Sequence, residues 1–401
     1  MEKGVDMGKI LLCEFGGLGE DGIERAFLRI GYEVERIRVK ADNYDYDKTL
    51  FRTILSRMQV QDVDLVFSIN FMPLVSKVCN IYHILYLSWI YDSPELHLYS
   101  PAIYNPVNRI FLFDRIQYER FYAVSPETVY YLPLATEPLG KQVLRGITEE
   151  EHRRYDSEVC FMGSLYTEKY KYWQVLDRLP DYWKGFITGI VEAQVNVFGY
   201  NFIQDSLRDE DVRELLKWFQ FELIDDYRRD DREIFSDFMI GPLVSILDRK
   251  RTLQRLSEQY PVTLYTGSDT KELPHIDNRG EADSITMMPK IFHCSKVNLN
   301  ITSKTIQSGI PQRVFDVLGA EGFLITNFQA ELPMYFEPGV DLVVYEDMDD
   351  LEEKVGYYLS HEEERRRIAE HGYQTVCNCY TYDLMLGNML RCALGTDNAK
   401  E

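Results

Sequence analysis

Lys9-Ile-Leu-Leu-Cys-Glu14 runs into the glycine turn Phe15-Gly-Gly-Leu-Gly-Glu20, and a helical stretch closed by Gly31 follows. An apolar run that ends in glycines and opens a helix is a strand–turn–helix start. Tyr32-Glu-Val-Glu-Arg-Ile-Arg-Val39 then alternates as a strand, a helix is predicted around Lys48 to Met58, and Val63-Asp-Leu-Val-Phe-Ser-Ile69 reads as a buried strand. The order βαβαβ predicts a parallel, doubly wound α/β sheet. Ile84-Leu-Tyr-Leu-Ser-Trp-Ile90, Arg109-Ile-Phe-Leu-Phe113 and Tyr130-Tyr-Leu-Pro-Leu-Ala135 extend it.

Working outward, a second α/β unit starts at Glu158-Val-Cys-Phe-Met-Gly163, and strand patterns return at Val262-Thr-Leu-Tyr-Thr-Gly267, Val297-Asn-Leu-Asn-Ile301, Phe323-Leu-Ile-Thr326 and Asp341-Leu-Val-Val-Tyr345. Between them, about 175–258 reads as a helical insertion. Its charged patch, Asp225-Asp-Tyr-Arg-Arg-Asp-Asp-Arg-Glu233, is expected to face water. At roughly 150 residues per domain, 401 residues suit two domains. The expected division is 1–140, a linker 141–157, a second domain 158–375, and a terminal helix 376–401 packing back toward the first domain.

The chain carries 44 Lys+Arg against 65 Asp+Glu, a formal charge of −21, with no basic stripe to override it. Such a surface repels nucleic acid. Seven scattered cysteines, the closest pair being Cys377 and Cys379, give no zinc spacing and are expected to be reduced thiols. No signal-peptide pattern and no long apolar run is present, so no membrane span is expected and the predicted location is cytoplasmic.

Ligands on open α/β sheets sit outside the carboxyl ends of the strands, which selects the candidates. In the first half these are Glu14, Gly16 and Gly17 after the first strand, where glycines serve either close ligand approach or packing. Asp92, in Tyr91-Asp-Ser-Pro94, is a candidate general base or acceptor-orienting group, the alternative being an Asx turn. His97 is a second catalytic candidate, against a plain surface histidine. In the second half, Gly309-Ile-Pro-Gln-Arg-Val-Phe-Asp316 places Arg313 and Asp316 three apart on one helix face, where helix N–H groups and a guanidinium suit phosphate and a carboxylate suits ribose hydroxyls. A helix-surface ion pair is the alternative.

Ser295-Lys-Val-Asn-Leu-Asn-Ile-Thr302, the Gly309–Asp316 segment, Gly322-Phe-Leu-Ile-Thr326 and Glu331-Leu-Pro-Met-Tyr-Phe-Glu-Pro-Gly339 resemble the CgeB-type, or spore-maturation-protein-like, glycosyltransferase domain. Leu87-Ser-Trp-Ile-Tyr-Asp-Ser-Pro94, Phe111-Leu-Phe-Asp-Arg115 and Leu132-Pro-Leu-Ala135 resemble the uncharacterised domain usually found in front of it. The resemblance implies a GT-B fold, two Rossmann-like domains facing across a cleft. It also implies metal-independent transfer from a nucleotide-sugar donor to a carbohydrate, protein or small-molecule acceptor, with no cofactor.

On that resemblance the donor side comprises Gln312, Arg313, Asp316, Gly322, Gly163, Lys169, Arg249 and Gly267. Asp316 stands where related enzymes carry Glu, and Ser164 where an Arg is common. The chain is expected to be a monomer or homodimer. A nucleotide-sugar epimerase, a phosphorylase and a non-catalytic sugar-binding or structural protein of a spore or cell envelope are the competing readings.

Overall fold

The computed structural model describes residues 8–14, 16–17, 19–38, 43–60, 63–168, 176–219, 226–228 and 230–395. They form two units: Met1–Glu137 with Ile224–Arg228 and Cys379–Glu401, and Pro138–Leu223 with Arg229–Asn378.

The first unit is built on six parallel strands, β1 (Lys9–Glu14), β2 (Glu33–Arg38), β3 (Leu65–Ile69), β4 (Leu85–Trp89), β5 (Asn108–Leu112) and β6 (Val129–Tyr131), in the order β2-β1-β3-β4-β5-β6. β3 lies mid-sheet with Ile10 opposite Leu65 and Leu65 opposite Leu85, and all five of its residues are buried. That explains its continuous apolar run, since helices cover both faces of a parallel sheet. The order reverses between β1 and β3.

The helix Tyr382–Ala393 belongs to this unit and packs on the helix Glu20–Arg29. The close approach requires glycine: a Cβ on Gly22 would lie 2.6 Å from the Tyr382 ring. Arg29 fastens the contact through Glu137 at 2.7 Å and Asp383 at 2.9 Å.

The second unit carries β7 (Ser157–Met162), β8 (Val262–Tyr265), β9 (Ile276–Asn278), β10 (Ser295–Asn300), β11 (Leu324–Asn327) and β12 (Val343–Tyr345), all parallel, in the order β12-β11-β10-β7-β8-β9. This is the order of a Rossmann sheet, with its switch point between β7 and β10. The sequence gives no sign of β9, because this three-residue edge strand has no buried position to create a pattern. The stretch expected as a linker instead folds as the helices Lys141–Arg145 and Glu149–Tyr155, the latter opened by a Thr148–Glu151 capping box.

The insertion between β7 and β8 is helical and has its own core, including Ile187, Val191, Val212, Phe235 and Leu243. Its last helix, Gly241–Ser257, follows a π-helical turn, Phe235–Ile240. The charged patch departs from expectation. Tyr227 and Glu233 are buried, the Tyr227 hydroxyl donates to Asp45 at 2.6 Å, and the Arg228 guanidinium lies 5.3 Å from the centre of the Tyr99 ring. The reason is the aromatic in the charged run, which is buried with its hydroxyl on the Asp45 carboxylate. Asp225 and Arg229 lie outside the described residues.

Among the described residues, no helix is long and apolar enough to cross a membrane.

Candidate functional site

At the carboxyl edge of the second sheet, the loops after β7 and β10 flank the switch point, where open α/β sheets bind ligands. Arg249, from the helix Gly241–Ser257, spans it. Its Nη1 donates to the Ser164 carbonyl after β7, and its Nη2 donates to the Ile301 carbonyl after β10 at 3.0 Å. The guanidinium stands 4.2 Å from the centre of the Tyr166 ring, and Tyr166 has a left-handed φ of 66°. Such backbone costs about 1–3 kcal/mol in a non-glycine residue and gathers where a site demands it.

The loop is further fixed by polar contacts. Ser164 Oγ donates to Glu168 at 2.6 Å, and Ser268 Oγ donates to the same carboxylate at 2.8 Å. Burial pushes the Glu168 carboxyl up, but its hydrogen bonds to these hydroxyls and the backbone outweigh that and hold it below its ordinary range. Thus Ser164, where an Arg is common in the related enzymes, holds Glu168, and that carboxylate ties the β7 loop to Ser268 in the β8 loop. Gly163 has φ 152° and abuts Arg249, and a Cβ on Gly267 would run into the Glu281 side chain. Both glycines shape the same edge.

Arg313 enters from the first turn of the helix Gln312–Gly319. Its guanidinium lies 5.5 Å from the centre of the Phe292 ring, and Nη1 is buried with no hydrogen-bond acceptor among the described residues. Burial depresses its pKa; Asp316 counters this, while the nearby Arg249 charge adds to it. A buried charged donor left unpaired costs at least about 1–3 kcal/mol, and perturbed cations of this kind gather at binding sites. Asp316, part-exposed on the same helix, accepts from Gln312 Nε2 at 2.8 Å. Arg249, Arg313, Gln312, Asp316 and Gly163 therefore lie at or beside one edge.

Gly322 does not join them. It precedes β11 at the opposite, amino edge of the sheet, where a Cβ would lie 2.9 Å from the Phe292 carbonyl and 3.0 Å from Val317. Its smallness serves helix–strand packing and not a ligand. Lys169 lies outside the described residues.

Lys304 was missed. It follows β10, is 8% exposed, and reaches Asp248 at 3.6 Å and the Phe198 ring centre at 3.6 Å. Burial pushes its pKa down against the pull of Asp248, and pushes the Asp248 carboxyl up against the pull of Lys304. The available signal was a lysine in the polar run Thr302-Ser-Lys-Thr305 directly after a buried strand.

In the first unit the carboxyl edge gathers a second set of candidates. Asn70, at the end of β3 with φ 57°, donates to Asp92 Oδ2 at 2.7 Å and accepts from the Tyr91 amide at 2.8 Å. Asp92 is exposed and clamped to the end of the neighbouring strand. The cap of the turn Leu96–Tyr99 comes from Glu95, which accepts from the His97 amide. His97 is part-buried and not a plain surface residue. Burial alone would lower its pKa, but the Glu95 hydrogen bond and the charges of Glu95, Asp45 and Asp92 raise it.

Glu14 is taken up by Arg36, which also meets Asp21 and Glu24. The Gly16 amide donates to Glu20 at 3.1 Å, with φ 86° at Gly16. Gly17 lies in the same turn and is part-buried. These residues close the turn after β1 beside the first sheet's switch point. No group of three or more His, Cys, Asp or Glu among the described residues could hold a metal ion.

With this geometry, the chain aligns over 97% of its length with all of a sucrose-phosphate synthase from Thermosynechococcus elongatus, at a TM-score of 0.56 and 10% identity. It aligns equally fully with Anabaena HepE crystallised with UDP and glucose, at 0.54 and 8%. The fold is GT-B. Residues 249–391 match the family described as glycosyl transferase-like. It is also similar to the spore protein CgeB of Bacillus subtilis strain 168, 28% identical over 82 residues, which are 20% of this chain and 24% of that protein.

Proposed function

We propose that the chain transfers a sugar from a nucleotide-sugar donor, held at the carboxyl edge of the second sheet, to an acceptor hydroxyl. The observation that carries this reading is the buried, unpartnered Nη1 of Arg313 beside Arg249 at the Rossmann switch point. Two guanidiniums there suit a diphosphate, and a planar fork binds phosphate oxygens bidentately. Asp316, as the ribose acceptor, and Arg313 then act on one ligand. A uridine nucleotide is the first donor to test, since the UDP-bound GT-B structure has the same fold. The similarity to CgeB over a short segment supports a CgeB-type transferase.

In the transfer, the acceptor oxygen bonds to the anomeric carbon as the bond from that carbon to the diphosphate oxygen breaks. The diphosphate leaves with the electron pair, its charge met by Arg313 and Arg249. The acceptor proton passes to a base. With the leaving charge matched by arginines, the reaction runs without a metal.

Incubating the protein with a panel of nucleotide sugars, with and without EDTA and without acceptor, tests this. Slow release of nucleotide from one donor, unchanged by EDTA, is the expected result. Binding of no donor would contradict the reading.

A further inference from the structure

We infer that Glu321 and Glu370 form a carboxyl pair sharing one proton, which anchors the C-terminal end of the helix Gln312–Gly319, so that loss of the proton loosens the edge where that helix begins. Where it concerns the donor, the inference rests on the function proposed above. Gln312, Arg313 and Asp316 ride on this helix, and the chain at its far end is held at three successive residues. The Gly319 carbonyl accepts from the Leu139 amide at 2.8 Å, the Ala320 carbonyl accepts from His293 Nδ1 at 3.0 Å, and the Glu321 side chain is hydrogen-bonded with Glu370. Glu321 has a left-handed φ of 56°, which a non-glycine residue keeps only where its surroundings enforce it. Gly322 then leaves no slack, since its Cβ position lies 2.9 Å from the Phe292 carbonyl. A displacement of Glu321 is therefore not absorbed toward β11 and passes into the helix.

An ionised carboxylate only accepts, so two carboxyl groups bond to each other only while one keeps its proton. Glu321 is that member. Burial first, and then Glu370, push its carboxyl up, whereas Glu370 accepts from Glu321, from Lys141 Nζ at 2.5 Å and from Gln374 Nε2 at 2.8 Å and is held down. Glu321 is faced by Lys141 and Arg145 from one helix, by His152 and His293 from two others, and by Glu370, Tyr373 and Cys377 from the helix Glu362–Cys379. Burial keeps Tyr373 and Cys377 protonated and His293 neutral. Arg365 and Arg366, on the same long helix, are taken up by the Tyr358 carbonyl and by Glu362. When pH rises past neutrality and Glu321 ionises, the hydrogen bond becomes a repulsion that Lys141, already on Glu370, does not cancel. A cavity of about 360 Å³ beside the pair gives the ionised carboxylate room to turn away.

Carboxyl carbon NMR on the full chain, with the Glu321 signal assigned through Glu321→Gln, tests the pair without any ligand. Glu321 is expected to titrate near neutral pH in the wild type and at lower pH in Glu370→Gln; an ordinary carboxylate titration in the wild type would overturn the inference. Amide signals of residues 312–319 should follow the Glu321 titration in the wild type and lose that response in Glu321→Gln. Amides that ignore pH, or that respond equally in the variant, would overturn the coupling. UDP-glucose carries a diphosphate that takes up no proton between pH 6 and pH 8, so its affinity reports the protein. The wild type should bind it at least about fivefold more weakly at pH 8 than at pH 6, the lower end of usual coupling between sites, while Glu321→Gln keeps its pH 6 affinity. Equal pH dependence in the two proteins would contradict the inference. Failure of UDP-glucose to bind at either pH would defeat the donor reading, whereas the carboxyl and amide titrations are read without it, so the two failures are distinguishable.

Discussion

Arg249 and Ser164 are joined across 85 residues of sequence by a guanidinium-to-carbonyl hydrogen bond, and the other arm of the same guanidinium takes the Ile301 carbonyl. One side chain thus holds together the ends of the two strands that bracket the switch point. A lysine has one ammonium and no planar fork, so it does not reproduce both bonds. Arg249→Lys is expected to lose roughly 1.5–3 kcal/mol of stability, the scale of a hydrogen bond to a charged group, and to weaken donor binding as well. Urea denaturation checks the first effect, and a midpoint equal to the wild type's would contradict it.

Asp316→Ala should act on the ligand and not on the fold. Its carboxylate meets Gln312 one helical turn away and is part-exposed. If Asp316 binds the donor ribose as proposed, its loss is expected to weaken the donor by roughly 1–3 kcal/mol, about 5- to 150-fold. Titration calorimetry that finds equal donor affinity in the two proteins removes Asp316 from the site.

Gly322→Ala should do the reverse. The added methyl meets a backbone carbonyl, Phe292 O, which cannot swing aside as a flexible side chain can. Overpacking of this kind costs typically about 1–3 kcal/mol. Donor affinity of the folded variant should stay at the wild-type value. A stable variant with impaired donor binding would return Gly322 to the donor site.

The amino edge of the second sheet holds a pH-sensitive pair. Burial first, and then the hydrogen bond with Glu370, pushes the Glu321 carboxyl up to about 7, while Glu370, hydrogen-bonded by Glu321 and Lys141, is held down at about 2. A carboxyl whose folded pKa lies above its unfolded value favours the folded state below the unfolded pKa. That contribution is lost as pH rises through about 7. Thermal midpoints should therefore fall between pH 5 and pH 8, and Glu321→Gln should flatten this part of the curve. An identical pH slope in the variant would contradict the pairing.

The strands were legible where both sheet faces bury them, as in β3 and β4, because a continuous apolar run leaves few alternatives. β9 was not, since nothing of it is buried. The shared helix of Arg313 and Asp316 was legible from their spacing, and Arg249 entered as a donor candidate through the family resemblance. Its bridging of two loops was not, because that depends on where a distant helix lies. Asn70, Glu95 and Tyr227 escaped for the same reason. Tyr227 meets Asp45 across 182 residues, and no local pattern encodes such a pair. Gly322 shows the opposite failure: a glycine between helix and strand looks the same in sequence whether a phosphate or a carbonyl lies against it.

Calorimetry of UDP and UDP-glucose with the wild type and Arg313→Ala decides whether the Arg249–Arg313 edge holds the diphosphate of a nucleotide sugar, as proposed. Saturable binding to the wild type that weakens at least tenfold in the variant is expected, with the unfolding midpoint of the variant unchanged or raised. Equal affinity in the two proteins, or no binding of either nucleotide to the wild type, would contradict it.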